Sequence, residues 1–382
     1  MKIKLNFKSP FITGGIKLTN NYIESMDYIK GNVVRAAFAK FILENCSEFK
    51  EEEEIIVDGV KRKNWVTFRD GKRCKKCLYK NLCKKFSTMK FSFFYPEGVQ
   101  IIPITAMRCK ENEEHGFIDC LIDEKVCKKC PDGNGRVEGV TGYLKNNEDY
   151  NVKKMFLTKN QIDKYTETSK DGRLYSLVCV SETESNATKE NSKNIFEGYI
   201  EGIEQDDIKN IDELRLGSYI SIGFGKCSLI CCKKENVKKD KIVKRMKDFS
   251  SKYSKFQDKK DSLNYVCIKF ISDTKMNFQL SENYITTEEY MKKWKEALKI
   301  NEEYEIEKVF AETFNFRGYD MSKISEDKRE ETCVMVKKGS VIVFKTQKAF
   351  EDIYNDFSTI KGFGLENENG FGDYEFYFGQ VF

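Results

Sequence analysis

"LGSYISIGFGK" (216–226) and "FGLENENGFGD" (363–373) each carry a glycine, five residues, then Gly-Phe-Gly. The six glycines so placed, Gly217, Gly223 and Gly225 with Gly364, Gly370 and Gly372, constrain the chain more than any other feature. A Gly-x-Gly turn reaches positive φ and clears side chains from one surface, so its amide groups can face a phosphate or a base edge. One such loop is explained as well by a tight turn that needs glycine for geometry alone. Two loops in the same surroundings ask for a common cause.

The surroundings match. "IFEGYIEGIE" (195–204) alternates like a strand, "DDIKNIDELRL" (206–216) suits a short helix, and the strand "KCSLICC" (226–232) follows the first loop. Around the second loop run the strand "GSVIVFKT" (339–346), the helix "KAFEDIYNDFSTI" (348–360) and the strand "YEFYFGQVF" (374–382). Each half also opens on a strand and a helix. In the first, "KIKLNFKS" (2–9) puts Ile3, Leu5 and Phe7 on one face, and Ile29, Val33, Ala37 and Phe41 predict a helix over about 33–43 capped by Asn32. In the second, "LNYVCIKFIS" (263–272) precedes the helical "EEYMKKWKEALKI" (288–300). The chain reads as an internal repeat.

Residues 46–140 break this rhythm. They hold eight of the 14 cysteines, the one histidine and three of the four prolines, a composition that predicts an insertion built around metal. Cys74-x2-Cys77-x5-Cys83 comes first, then Cys109, His115, Cys120 and Cys127-x2-Cys130. A C-x-x-C turn sets two thiolates on one edge of a tetrahedron. Cys109, His115, Cys127 and Cys130 make one complete set, leaving Cys74, Cys77 and Cys83 to find a fourth ligand in Cys46 or Cys120. Alternatively Cys74, Cys77, Cys127 and Cys130 form one all-thiolate site. Either site is closed, hence structural, and zinc is the expected ion; buried free cysteines are the plainer alternative.

The net charge of the 382 residues is only +5, but it is unevenly spread. Residues 61–90 hold twelve basic residues against the single acid Asp70, and residues 233–260 hold twelve against four. A solvated face or linker accounts for such runs as readily as a polyanion partner does. The segment 233–262, without Pro or Gly, is the expected linker between the halves. No apolar run approaches a membrane span and the start lacks a signal-peptide core, so a cytoplasmic protein with no membrane partner is expected.

One histidine leaves little room for acid-base catalysis near neutral pH. Asp27, just before the first helix, is the nearest candidate for metal-assisted RNA cleavage, though an acid there more often serves as a cap or first-turn charge. No catalytic residue is expected.

The glycine loops, following the second helix of each repeat, resemble those of the RAMP superfamily of CRISPR-associated proteins. "YIKGNVVRAAFA" (28–39) is similar to that family's "YIPGSSLRGALA" segment, with Lys30 for proline, Asn32 for serine and Ala36 for glycine. "TAMRCKENEEHGFIDCL" (105–121) and "CKKC" (127–130) resemble the zinc-containing insertion of the large tandem-RAMP subunit of type III-D effectors, and "KKGSVIVFK" and "NGFGDYEF" resemble its last strands. The resemblance favours Cys109, His115, Cys127 and Cys130 as one zinc site.

It implies an α+β chain of two tandem ferredoxin-like, RRM-like domains, 1–232 (with the zinc insertion at about 46–140) and 263–382. It also implies a non-catalytic, RNA-binding subunit of a type III CRISPR effector in antiviral defence. Its partners would be the guide RNA, held at its 5′ repeat-derived end, the large polymerase-like subunit, the RAMP backbone subunits and, indirectly, target RNA. In such a subunit the six loop glycines would admit RNA, and Arg35, Lys40, Lys72, Arg73, Lys75 and Lys76 would neutralise phosphates. Phe224 and Phe371 would stack on bases or pack on their own sheets. The rival readings are a repeat-processing endoribonuclease of the same superfamily, a target-cleaving backbone subunit, and a zinc module unrelated to RNA.

Overall fold

The computed structural model describes residues 1–14, 16–19, 22–51, 53–57, 59–171, 173–184, 193–233, 238–276, 286–325 and 328–379. It is a mixed α/β chain with several antiparallel sheets. In the first, Lys2–Phe7 lies between Ile195–Glu201 and Lys226–Cys232, antiparallel to both, with Leu5 opposite Phe196 on one side and Leu229 on the other. Lys90–Phe91 and Tyr95–Pro96 pair along the far edge of Ile195–Glu201. In the second, Asn264–Phe270 lies between Val341–Thr346 and Tyr374–Tyr377, and Glu305–Phe310 closes the far edge of Val341–Thr346. Counting the two short outer pieces of the first sheet as one strand, and setting aside Leu214–Arg215, which pairs along the outer edge of Lys226–Cys232, both halves place their fourth, first, third and second strands side by side in that order. Both send a helix out after the first strand and another after the third.

Alternation along Lys2–Phe7 buries Ile3, Leu5 and Phe7 on one face. They meet Val34, Phe38 and Ile42 from the helix Gly31–Glu44. That helix starts two residues earlier than its apolar period suggests. Lys30, in an extended conformation, is its N-cap and makes no side-chain capping bond, so Asn32 lies in the first turn rather than at the cap.

Asn264–Phe270 is buried at six of its seven positions, because both its faces are covered. Val266, Ile268 and Phe270 pack on Trp294, Ile353 and Phe357, while Tyr265 and Cys267 pack on Phe249 and Tyr253. Phe249 and Tyr253 belong to the helix Lys239–Phe256, which buries Val243, Met246, Phe249, Ser250 and Tyr253 along one stripe. The segment 233–262 is therefore not a linker in its described part. Its lysines face water and its apolar stripe is part of the second core.

The expected insertion at 46–140 is likewise two insertions. Lys90–Phe91 and Tyr95–Pro96 return to the first sheet between them, so Cys74, Cys77 and Cys83 lie before this strand and the later cysteines after it. The second insertion includes a small sheet of Ala106–Cys109 flanked by Phe117–Asp119 and Val137–Gly139. Among the described residues, no helix is long and apolar enough to cross a membrane.

Candidate metal centre and glycine loops

Cys109 ends the central strand of that small sheet, and His115 closes a short 3-10 turn whose start is capped by the Asn112 side chain. Cys127 and Cys130 arrive on the following loop, which Gly135 folds back through paired backbone bonds, Cys127 N–H to Gly135 O at 2.8 Å and Gly135 N–H to Cys127 O at 3.1 Å. A Cβ on Gly135 would fall 2.1 Å from the Cys130 sulfur, so only glycine leaves room for that thiol.

The ligand atoms of Cys109, His115, Cys127 and Cys130 all lie within 4.8 Å of one another. Cys109 and Cys130 sulfurs are 3.5 Å apart, and His115 Nδ1 is 3.3 Å from Cys127 and 3.6 Å from Cys130. A tetrahedral zinc with bonds of about 2.0–2.3 Å sets neighbouring ligand atoms roughly 3.5–3.8 Å apart, and the four groups fit it. Burial works against a charged Cys109, but backbone N–H groups of Asn112 and Glu111, with Cys130 and His115, hold its thiol below the ordinary range. The alternative grouping of Cys74 and Cys77 with Cys127 and Cys130 is not formed, since Cys127 and Cys130 face Cys109 and His115.

The two glycine loops are equivalent position by position. Leu216 N–H donates to Gly225 O at 2.9 Å as Phe363 N–H does to Gly372 O at 3.0 Å. Ser218 N–H reaches Ile12 O at 2.9 Å as Leu365 N–H reaches Lys275 O at 2.9 Å, in each case on the segment leaving the first strand of that half. Tyr219 (φ 60°) and Glu366 (φ 58°) are both left-handed and open a single 3-10 turn that ends at Gly223 or Gly370.

The space in front of these glycines belongs mostly to the chain itself. A Cβ would lie 2.1 Å from Ile12 O at Gly217, 1.9 Å from Leu216 O at Gly225, 2.3 Å from Lys275 O at Gly364 and 1.8 Å from Phe363 O at Gly372. At Gly370 it would lie 2.4 Å from Phe91 O of the other half, whereas at Gly223 nothing lies within 4 Å. Phe224 and Phe371 are 7% and 2% exposed, so neither ring is free to stack on a base. Phe371 lies edge-on to Phe93, and Phe224 packs with Ile12, Leu177 and Cys179.

Among the basic residues, Lys72, Arg73, Lys75 and Lys76 are exposed. Lys40 is exposed and 3.6 Å from Glu44. Arg35 is half-buried and committed to the fold: its Nη1 donates to Met89 O at 3.2 Å and its guanidinium lies over the Phe86 ring. Asp27 pairs with Lys154 at 2.6 Å.

Sequence patterns did not single out the junction between the halves. There Tyr28 donates to Asp273 at 2.6 Å, and the Lys338 ammonium lies 3.9 Å from the centre of the Tyr28 ring, beside a cleft of about 410 Å³. Lys30 is buried with its ammonium 4.1 Å from the centre of the Phe316 ring and has no ion-pair partner among the described residues. Burial lowers the pKa of both lysines. The only signal in the sequence was the "YIKG" segment itself.

No family model and no curated protein matches the chain. Among solved structures, it is similar to a chain of the type III-B Cmr-beta complex bound to cognate target RNA and AMPPnP, seen by cryo-EM. The TM-score is 0.42 with 11% identity, over 94% of this chain and 89% of that one. A chain of the same complex with cognate target RNA gives 0.41 and 12%, over 93% and 89%. One from its apo state gives 0.27 and 14%, over 61% and 97%. Likeness this distant leaves the functional assignment to the chain's own residues.

Proposed function

We propose that the chain is a non-catalytic RNA-binding subunit of a type III CRISPR effector, built from two ferredoxin-like RAMP units and a zinc-stabilised insertion. The observation that carries this reading is the residue-by-residue match of the two glycine loops, each clasping the outgoing end of its own first strand within sheets of the same strand order. That device is the one the RAMP resemblance rests on. In this chain it acts chiefly as a clasp, and contact with RNA passes to the charged surface. Lys72, Arg73, Lys75 and Lys76 present four cations on one exposed loop with no ion-pair acid among the described residues, as a phosphate-binding face requires.

Zinc at Cys109, His115, Cys127 and Cys130 would hold an insertion with few apolar residues of its own. His115, within 3.6 Å of two thiols, is then committed to the ion and withdrawn from acid-base chemistry, which weighs against a processing endoribonuclease. The 5′ repeat-derived end of the guide RNA is the proposed ligand, with the large polymerase-like and backbone subunits as protein partners.

The test is to purify the tagged protein from its native host and sequence the RNA that accompanies it. Repeat-spacer RNA arriving with several other subunits is the expected result. The same RNA on the isolated protein, ending at one fixed cut within the repeat, would replace this reading with the processing nuclease. No enriched RNA would leave the loops as turns and end the RNA reading.

A further inference from the structure

Cys46, Cys74, Cys77 and Cys83 remain outside the centre described above. All four are free, partly buried thiols. We infer that they form a second closed metal site, an all-thiolate one for zinc or a similar soft divalent cation, which draws the basic loop onto the end of the first helix.

Three elements carry the four cysteines to the end of the first helix. Cys46 follows the helix Gly31–Glu44, its N–H bonded to Leu43 O at 3.1 Å. Cys74 opens a 3-10 turn and Cys77 closes it, with Cys77 N–H donating to Cys74 O at 3.2 Å. That C-x-x-C spacing is the one zinc sites use for a pair of thiolates. Cys83 sits in the short helix Lys80–Lys85.

Two contacts fix this knuckle against Cys46. Arg73 Nη1 donates to the carbonyl of Ser47, the residue after Cys46, at 3.1 Å. The Tyr79 ring meets Phe41, on the last turns of the same helix, edge-on at 5.0 Å between centroids. Cys83 N–H donates to Tyr79 O at 2.9 Å, and Cys83, Tyr79 and Phe41 all pack against the first core, which sets Cys83 on the same side as the end of the first helix. Cys120, the other sequence candidate, lies in the second insertion, where its N–H is bonded to Thr105 O at 3.0 Å.

The ribbon Ile55–Val57 with Val60–Arg62 is tied to the second half by Lys63 N–H to Ser322 O at 2.9 Å and Ile324 N–H to Lys61 O at 3.1 Å, but no such bond reaches the knuckle at 74–83. Among the described residues from 46 to 79, Val66 is the only buried one, and the only regular pairing is that ribbon. A stretch that buries so little cannot order itself through apolar contacts. Binding of a metal by four thiolates is folding free energy in such a case. The four sulfurs are less tightly gathered than the Cys109 set, the one group among the described residues whose ligand atoms all lie within 4.8 Å. Metal would therefore close the knuckle and fix the direction in which Lys72, Arg73, Lys75 and Lys76 point.

The metal content of the full chain tests this without reference to RNA. Two equivalents of zinc per chain are expected by elemental analysis. One should remain in the double variant Cys74→Ser/Cys77→Ser, and one in Cys127→Ser/Cys130→Ser. Cobalt loaded into the second variant should give the ligand-field spectrum of a tetrathiolate site, and Cys120→Ser should leave two equivalents. A single equivalent in the unaltered chain that survives Cys74→Ser/Cys77→Ser would overturn the proposal, and so would loss of one equivalent in Cys120→Ser. If the first variant does not fold, the unaltered chain decides: cobalt binding in two steps supports the second site and a single step refutes it.

Discussion

The carbonyl oxygen of Asn369 lies 2.2 Å from where a Cβ on Gly31 would sit. Asn369 is on the tip of the second glycine loop and Gly31 is the first residue of the first helix, so the loop of one half rests on the helix start of the other. Phe91 O and Ser92 complete the seat, and Gly370 fits against them. The junction thus relies on backbone carbonyls approaching Gly31 and Gly370, where no side chain intervenes.

Gly31→Ala should therefore loosen the junction. A forced approach of this kind costs about 1–3 kcal/mol, read as a lower urea midpoint. Gly223→Ala is the control: its φ of 99° is unfavourable for alanine, but nothing lies within 4 Å. It should cost only the backbone strain, about 1–2 kcal/mol, and leave the contacts across the junction unchanged. Equal losses in the two variants would mean that the junction tolerates the extra methyl.

Replacing Lys72, Lys75 and Lys76 by glutamate, and leaving Arg73 on the Ser47 carbonyl, should weaken binding of a single-stranded guide RNA. It should also flatten the salt dependence by about 0.7 in the log–log slope for each phosphate left unneutralised. Arg35→Ala should act differently. It removes the bond to Met89 O and the stacking on Phe86, so stability falls while the salt slope is unchanged. Affinity titrations at several salt concentrations separate the two.

A chelator should loosen the small sheet of Ala106–Cys109, Phe117–Asp119 and Val137–Gly139 while sparing Asn264–Phe270 and Val341–Thr346, whose cohesion comes from apolar packing. Hydrogen exchange checks this peptide by peptide. Faster exchange spread evenly over both regions would show that the centre holds the whole chain rather than its own insertion.

Asp373 pairs with Lys90 across the junction at 2.5 Å, and its side chain is 12% exposed. Burial outweighs the ammonium and pushes its carboxyl up to about 6. An unfolded aspartate titrates near 3.9. Between these values the folded chain holds a proton that the unfolded chain has lost. Asp373's contribution is thus fully present below about pH 4 and is lost as the pH rises through about 6. Asp373→Asn should flatten the stability profile across this window by about 2–3 kcal/mol, whatever its effect on absolute stability. Urea midpoints at pH 4 and 7 suffice, and equal slopes in the two proteins would contradict the assignment.

Much of this architecture was legible because both glycine loops kept their spacing. A left-handed residue, one 3-10 turn and two more left-handed glycines tolerate few substitutions, so the signal survived where the strands around it diverged. Two-residue strands have no period to detect, which is why Lys90–Phe91 and Tyr95–Pro96 were absorbed into one apparent insertion. Lysine density concealed the stripe Val243, Met246, Phe249 and Tyr253, although its three- and four-residue spacing is helical. The fates of Phe224 and Phe371 could not be read at all, because a Gly-Phe-Gly turn can present its ring to solvent or to a core with the same sequence. At the metal centre, spacing offered two groupings, and the approach of Cys127 and Cys130 to Cys109 and His115 separated them.

The approach of Asn369 to Gly31 also has a handedness of arrangement. A twofold pairing of the halves would bury both loop tips or neither. Here the second tip is covered, while Ser221, Ile222 and Gly223 at the first stand exposed. The halves are thus joined head to tail, a heterologous relation that does not close on itself. One tongue is matched to one groove, and the other tongue is left spare.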